Sequence, residues 1–119
     1  MEYYENEKGQ VAVLVSTGYG AGWSTWNQRA LAYDKRVVEF WLSKKDDENF
    51  MKEIRSVSDN DAKKMTRELF ESFGYTDVYF CGLADVVLVW VDKGRHFRIF
   101  GYDGYESIEF LEDDDYIVF

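Results

Sequence analysis

An uninterrupted apolar run, residues 11–15, stands immediately before a glycine-rich loop. The run is rich in valine, and β-branched side chains fit the pleated surface of a strand. A short apolar run that ends at turn residues is typical of a buried strand. We therefore predict a buried β-strand at this position.

Three helices are predicted between the loop and residue 74. The first follows Asp34, whose side chain can cap a helix, and a short second one follows a charged break at residues 43–47. The third begins within residues 58–61 and ends at Gly74, which readily adopts the left-handed conformation. The apolar positions of the three helices are, in order, Val37, Val38, Trp41 and Leu42, then Phe50, Met51 and Ile54, then Met65, Leu69 and Phe73.

From residue 77 onward the pattern changes to short β runs, which predict strands at residues 78–81, 86–91, 97–100, 107–110 and 116–119. Glycine turns at residues 92–94 and 102–105 predict hairpins, so these strands should be antiparallel neighbours. Proline, internal repeats and Gly/Ser linkers are absent from the sequence. The expected fold is α+β: one strand, two or three helices and an antiparallel β-meander, in a single domain spanning residues 1–119.

Charge and composition narrow the functional classes. The net charge of −9 disfavours direct contact with nucleic acid or an anionic membrane. The longest apolar run, residues 86–91, is far shorter than the ~20 residues of a membrane-spanning helix. The N-terminus lacks the pattern of a secretory signal, and the single Cys81 excludes an internal disulfide. We expect a cytoplasmic protein.

The loop at residues 16–27 is the main candidate for a ligand site. Exposed amides after a strand can hold phosphate. However, Trp23 occupies the position where a dinucleotide fingerprint needs glycine and a Walker loop needs lysine. The loop either presents amides and aromatic rings to a ligand or closes one end of the sheet as an aromatic plug. Together with the later hairpin, the candidate ligand-binding residues are Thr17, Gly18, Tyr19, Gly20, Gly22, Trp23, Trp26, Arg98 and Glu106.

The hairpin around residues 97–108 supplies the last two of these candidates. Strand alternation sends Phe97 and Ile99 to one face and Arg98 to the other. Arg98 and Glu106 are then expected to face each other across the hairpin. They form either a surface ion pair worth about 0.2–1 kcal/mol or a polar contact for a ligand beside the glycine loop.

Acidic residues are concentrated at the C-terminal end. Residues 99–119 carry seven acidic and no basic residues, whereas residues 1–98 carry 16 acidic and 14 basic ones. Such a surface can steer association with a basic partner, or it can serve solubility and protect an edge strand. The candidate partner-binding residues are Glu106, Glu109, Glu112, Asp113, Asp114 and Asp115.

Catalytic and metal-binding patterns are weak. Cys81 and His96 could form a thiolate–imidazole dyad, but strand alternation favours a packing role for the cysteine. One histidine and one cysteine fall short of a zinc ligand set, and residues 112–115 lack the spacing of a calcium loop. We predict no catalytic residues, no metal and no cofactor.

Three segments resemble those of a group of small bacteriophage and prophage proteins: STGYGAGWSTWN at residues 16–27, GYTDVY at residues 74–79, and FRI followed by YDGYESI within residues 97–108. The resemblance implies a phage accessory protein of the kind that blocks host defence, as anti-CRISPR proteins and sponges for defence nucleotides do. It implies no catalytic residues.

Together these observations lead us to expect a non-catalytic accessory protein that inhibits a host factor by binding it through the acidic surface. The host protein would carry a basic surface, and a second copy of the chain is a further candidate partner. The alternative is a protein that sequesters a nucleotide with the glycine-aromatic loop. A small enzyme that uses Cys81 and His96 is the third hypothesis.

Overall fold

A computed structural model describes residues 1–19 and 22–111 of the chain. It contains three helices and two small antiparallel sheets, which confirms the predicted α+β class. The helices are α1 (Lys35–Lys44), α2 (Glu48–Arg55) and α3 (Asp61–Ser72), and the strands are β1 (Gln10–Ser16), β2 (Val86–Asp92), β3 (Phe97–Tyr102) and β4 (Tyr105–Phe110). Short 3₁₀ turns occur at Ser24–Trp26, Arg29–Ala32 and Cys81–Asp85.

Side-chain caps begin all three helices. Asp34, Asp47 and Asn60 each accept a hydrogen bond from a backbone N–H in the first turn of the helix that follows. Gly74 has φ +95° just beyond α3, as predicted. The buried side of α3 differs from the expected one: Ala62, Thr66 and Phe70 are buried, whereas Met65 is 42% exposed. The side of α3 that carries Phe70 faces inward because the Phe70 ring packs against the core rings of Trp23 and Phe80.

The strand pairing differs from the expected meander. β2 pairs antiparallel with β1, so the turn at residues 92–94 connects two sheets instead of two neighbouring strands. The second turn is as predicted. β3 pairs with β4 through Asp103 and Gly104, which both have positive φ, the pattern of a type I′ hairpin. The first turn does not form a hairpin because the apolar face of β3–β4 packs across the β1–β2 sheet.

Residues 78–81 do not form the predicted strand. The segment runs into the 3₁₀ turn Cys81–Asp85, and the Asn27 side chain takes the place of a neighbouring strand. The Asn27 amide donates to the Tyr79 carbonyl at 2.8 Å and accepts from the Tyr79 N–H at 2.8 Å. The strand predicted at residues 116–119 lies outside the described residues.

β1 lies in the middle of three layers. Ala12 and Leu14 face a core shared with the helices, whereas Val13 and Val15 face a second core shared with the β3–β4 hairpin. Both faces of the strand are therefore covered, which explains why its sequence is continuously apolar. The hairpin contributes Phe97, Ile99, Ile108 and Phe110 to the second core.

Among the described residues, no helix has the length and apolar character needed to cross a membrane.

Candidate functional site

Glu106 is a buried carboxylate that holds both ends of the glycine loop. It is 2% exposed. Its Oε1 accepts a hydrogen bond from the Ser16 N–H at 2.9 Å. Its Oε2 accepts from the N–H groups of Trp23 at 3.3 Å and Thr25 at 2.8 Å, and from the Thr25 hydroxyl at 2.6 Å. Four donors therefore satisfy the charge of this side chain inside the protein.

Strand alternation explains this burial. Glu106 points to the same side of β4 as Ile108 and Phe110, which pack against the first sheet. Opposite it stands Gly101, where a Cβ would lie 2.8 Å from the Thr25 hydroxyl oxygen. Glycine thus allows the loop to approach the hairpin. The expectation that Glu106 belongs to a partner-facing or ligand-facing surface is wrong, because its carboxylate is enclosed.

The loop aromatics divide between interior and surface. Trp23 is fully buried and packs against Phe70 with ring centroids 6.1 Å apart, as the plug interpretation predicts. Its indole Nε1 has no hydrogen-bond partner within the described part of the chain. Trp26 is 46% exposed and lies against Tyr79, and Gly22 leaves the room that the Trp26 ring occupies. Trp23 therefore closes the core and does not line an open site.

The beginning of the loop is tied to the end of the third 3₁₀ turn. Thr17 donates to the Asp85 carbonyl from its N–H at 3.0 Å and from its hydroxyl at 2.9 Å. Gly18 lies against the Asp85 side chain, and Tyr19 is an exposed ring stacked on Tyr105 with centroids 5.1 Å apart. Gly20 lies outside the described residues. The described candidate residues of the loop thus contact different parts of the fold and do not line a common pocket.

Arg98 is paired with Glu109 and not with Glu106. The two-residue turn places Arg98 opposite Glu109 and Gly101 opposite Glu106. The Arg98 Nε donates to a carboxylate oxygen of Glu109 on the exposed face of the hairpin. The predicted Arg98–Glu106 pair is therefore wrong: Arg98 does form a cross-strand ion pair, but its acidic partner is Glu109, three residues further along the chain.

The remaining acidic candidates are Glu112, Asp113, Asp114 and Asp115, and all four lie outside the described residues. Of the six predicted partner-binding residues, only Glu109 is described at the surface, where it is half-buried and paired.

The Cys81–His96 dyad is not formed. Both residues are described, and no hydrogen bond joins them. His96 is exposed beside β3. Cys81 lies near Tyr79, and its electrostatic interaction with the Tyr79 hydroxyl, together with partial burial of that hydroxyl, raises the pKa of Tyr79. No group of three or more potential metal ligands occurs among residues 1–19 and 22–111.

A basic cleft lies between the β1–β2 sheet and the β3–β4 hairpin. Its volume is about 380 Å³, within the range of small-molecule sites. Apolar side chains of both sheets and the rings of Tyr3, Tyr33 and Phe97 line it. Among the described lining residues, one is acidic, Asp92, and four are basic: Arg29, Lys93, Arg95 and Arg98.

The four cations differ in their contacts. Lys93 donates to Glu5 at 2.9 Å, and this hydrogen bond raises the pKa of the lysine. The Arg95 guanidinium lies 3.9 Å from the centre of the Phe110 ring. Arg29 has no hydrogen-bond or ion-pair partner among the described residues. Its guanidinium is therefore the cation most available to a ligand.

A second cleft of about 320 Å³ adjoins the basic cleft, and the two share Arg29 and Ile99. Ser24, Thr25 and Asn27 of the loop complete its lining.

Neither cleft was predicted from the sequence, although one signal was present: the only lysine or arginine residues after Arg67 are Lys93, Arg95 and Arg98. Tyr3 and Tyr33 join them only through the tertiary fold.

A separate buried carboxylate, Asp34, holds α1 to the end of α3. It accepts hydrogen bonds from Arg36 and, at 2.7 Å, from the Tyr75 hydroxyl. Burial by itself would raise the pKa of Asp34, but the hydrogen bonds from Arg36 and Tyr75 outweigh it and lower the pKa. Burial and the bond to Asp34 raise the pKa of Tyr75 to about 12. This cluster stabilises the fold and does not line either cleft.

No family model, curated protein or solved structure matches this chain. The geometry of the clefts is therefore the basis for the functional proposal.

Proposed function

We propose that this protein is a non-catalytic binding protein that takes a small anionic ligand of nucleotide type in the basic cleft. The observation that carries the proposal is the convergence of Arg29, Lys93, Arg95 and Arg98 on one aromatic-walled cleft in a chain of net charge −9. Such a local concentration of positive charge in an acidic protein favours an anion at this position.

The lining suits the two halves of a nucleotide. Arginine and lysine side chains bind phosphate oxygens, and arginine does so through two donors at once. The rings of Tyr3, Tyr33 and Phe97 offer surfaces on which a base can stack. The described lining residues include neither histidine nor cysteine, and the one carboxylate among them, Asp92, already accepts a hydrogen bond from Gln10. These features support binding without catalysis.

The biological role that fits this chemistry is sequestration of a signalling nucleotide in the cytoplasm. The resemblance to phage proteins supports this role, because a sponge for a defence nucleotide needs affinity and no turnover. A nucleotide is therefore preferred to a basic host protein as the ligand, and it would bind between the two sheets instead of on the glycine loop.

A thermal-shift and calorimetry screen with mononucleotides, cyclic nucleotides and ADP-ribose tests the proposal. A ligand that binds only the folded state raises the melting temperature by mass action. We expect a shift that is lost in a Lys93→Gln, Arg95→Gln double variant and kept in the matched control Lys52→Gln, Lys64→Gln, whose lysines lie exposed on the helices. A flat screen, or equal shifts in both variants, contradicts nucleotide binding in the basic cleft.

The acidic C-terminal end supports a second candidate, the inhibitor of a host protein that carries a basic surface. The supporting observation is the seven acidic and no basic residues of positions 99–119. With Glu106 buried, this surface would consist of Glu109 and residues 112–115. Replacement of residues 112–115 by lysine should abolish capture of the partner from a bacterial lysate at low salt. Unchanged capture by this variant contradicts the acidic-surface hypothesis.

A further inference from the structure

The second cleft contains an unpartnered buried hydroxyl. Ser24 is 3% exposed, and its Oγ has no hydrogen-bond partner among the described residues. A buried hydroxyl of this kind destabilises a protein unless water or a ligand satisfies it. Ser24 and Arg29 both line this cleft.

The other polar groups of this cleft are already engaged. The Asn27 amide donates to the carbonyls of Trp23 and Tyr79 and accepts from the Tyr79 N–H. The Thr25 hydroxyl donates to Glu106 at 2.6 Å. Among the described side chains that line this cleft, the donors left for a ligand are therefore the Ser24 hydroxyl and the Arg29 guanidinium.

The position of Ser24 is held by its neighbours. The N–H groups of Trp23 and Thr25, on either side of it, both donate to Glu106, and its own carbonyl accepts from the Asn27 N–H at 3.2 Å. The hydroxyl is therefore presented by a braced segment of backbone. Such preorganisation reduces the entropy that a ligand loses on binding.

We propose that the second cleft is a subsite for a terminal phosphate monoester of the ligand in the basic cleft. A guanidinium satisfies two oxygens of a phosphate, and the Ser24 hydroxyl donates to a third. None of the described residues that line this cleft is acidic, and the nearby Glu106 already accepts four hydrogen bonds. This inference rests on the proposed function, since the shared residues Arg29 and Ile99 join the two clefts.

The test compares AMP with adenosine, and inorganic phosphate with buffer alone, on the whole chain. We expect AMP to bind more tightly than adenosine. Ser24→Ala should weaken AMP binding about tenfold and leave adenosine binding unchanged, and Arg29→Gln should reduce the preference for AMP over adenosine. The melting temperature of unliganded Ser24→Ala should stay the same or rise, because the variant removes an unsatisfied hydroxyl. Arg67→Gln is the control.

The outcomes separate the subsite from the proposed function. If AMP binds and its advantage over adenosine is the same in Ser24→Ala, in Arg29→Gln and in the natural chain, the subsite is wrong and the basic cleft stands. If inorganic phosphate binds and Ser24→Ala weakens it while no nucleotide binds, the subsite stands and the proposed function is wrong. If neither phosphate nor AMP binds, Ser24 holds only water and the subsite proposal is overturned.

Discussion

Glu106 and Thr25 are joined by two hydrogen bonds to one carboxylate oxygen, from the Thr25 N–H at 2.8 Å and its hydroxyl at 2.6 Å, although they are 81 positions apart in the sequence. This contact fixes the end of the glycine loop on the β3–β4 hairpin. Ser24 lies between Trp23 and Thr25, whose N–H groups both donate to Glu106, so the Glu106 carboxylate also fixes the position of Ser24 in the second cleft. The contribution of Glu106 to the stability of the fold can be measured by unfolding experiments.

Glu106→Gln should destabilise the protein by about 2–4 kcal/mol, because an amide NH₂ replaces one of two oxygens that each accept from buried donors. Urea unfolding at neutral pH measures the change. Glu109→Gln, which breaks only the exposed pair with Arg98, is the matched control and should cost no more than about 1 kcal/mol. Equal losses of unfolding free energy in the two variants would contradict the assignment of Glu106 as a buried carboxylate that holds the loop on the hairpin.

Trp23→Ala should destabilise the fold by about 3–5 kcal/mol, because a fully buried indole leaves a cavity. Trp26→Ala removes a side chain that is 46% exposed and should cost about 1 kcal/mol. Urea unfolding of both variants tests whether Trp23 is a core residue and Trp26 a surface residue. A larger loss of unfolding free energy in Trp26→Ala than in Trp23→Ala would contradict this assignment.

Gly101→Ala should destabilise the protein by about 1–3 kcal/mol, because its Cβ would overlap the Thr25 side chain at 2.8–3.2 Å. Thr25→Ala removes the hydroxyl and methyl groups that cause most of this overlap. The double variant should therefore be more stable than the sum of the two single losses predicts. Strict additivity in a double-mutant cycle would mean that the hairpin and loop do not approach closely here.

The Asp34–Tyr75 hydrogen bond should make stability fall at alkaline pH. The pKa of Tyr75 is raised to about 12 in the folded state, and an unfolded tyrosine titrates near pH 10. The stabilisation is therefore fully present below about pH 10 and is lost as the pH rises toward about 12, with a loss of about 2 kcal/mol.

The control for this pH dependence is a variant without the hydroxyl. Tyr75→Phe should be less stable than the natural chain at neutral pH, and the difference in unfolding free energy should narrow above about pH 10. Tyr102→Phe, at an exposed position, should leave the pH profile unchanged. Parallel profiles for the natural chain and Tyr75→Phe would contradict the raised pKa.

The elements that depend on nearby residues could be predicted from the sequence. The caps at Asp34 and Asn60 act over two or three residues, and the Asp103–Gly104 turn needs only positive φ at two positions. The continuous apolar run of β1 predicts that the strand is buried, whichever strand it pairs with. The candidate site was predictable in part: Arg98 lies in the basic cleft, and the loop that carries Trp23 supplies the second cleft through Ser24.

Which distant segments meet was decided by the tertiary structure. β2 could pair with the next strand or with β1, and it pairs with β1 because the free apolar face of the hairpin can then cover Val13 and Val15. The same packing turns Glu106 inward and gathers Arg29, Lys93 and Arg95 into one cleft. From the sequence alone a charged residue is expected at the surface. Glu106 can be buried because the folded chain supplies four hydrogen-bond donors to its carboxylate.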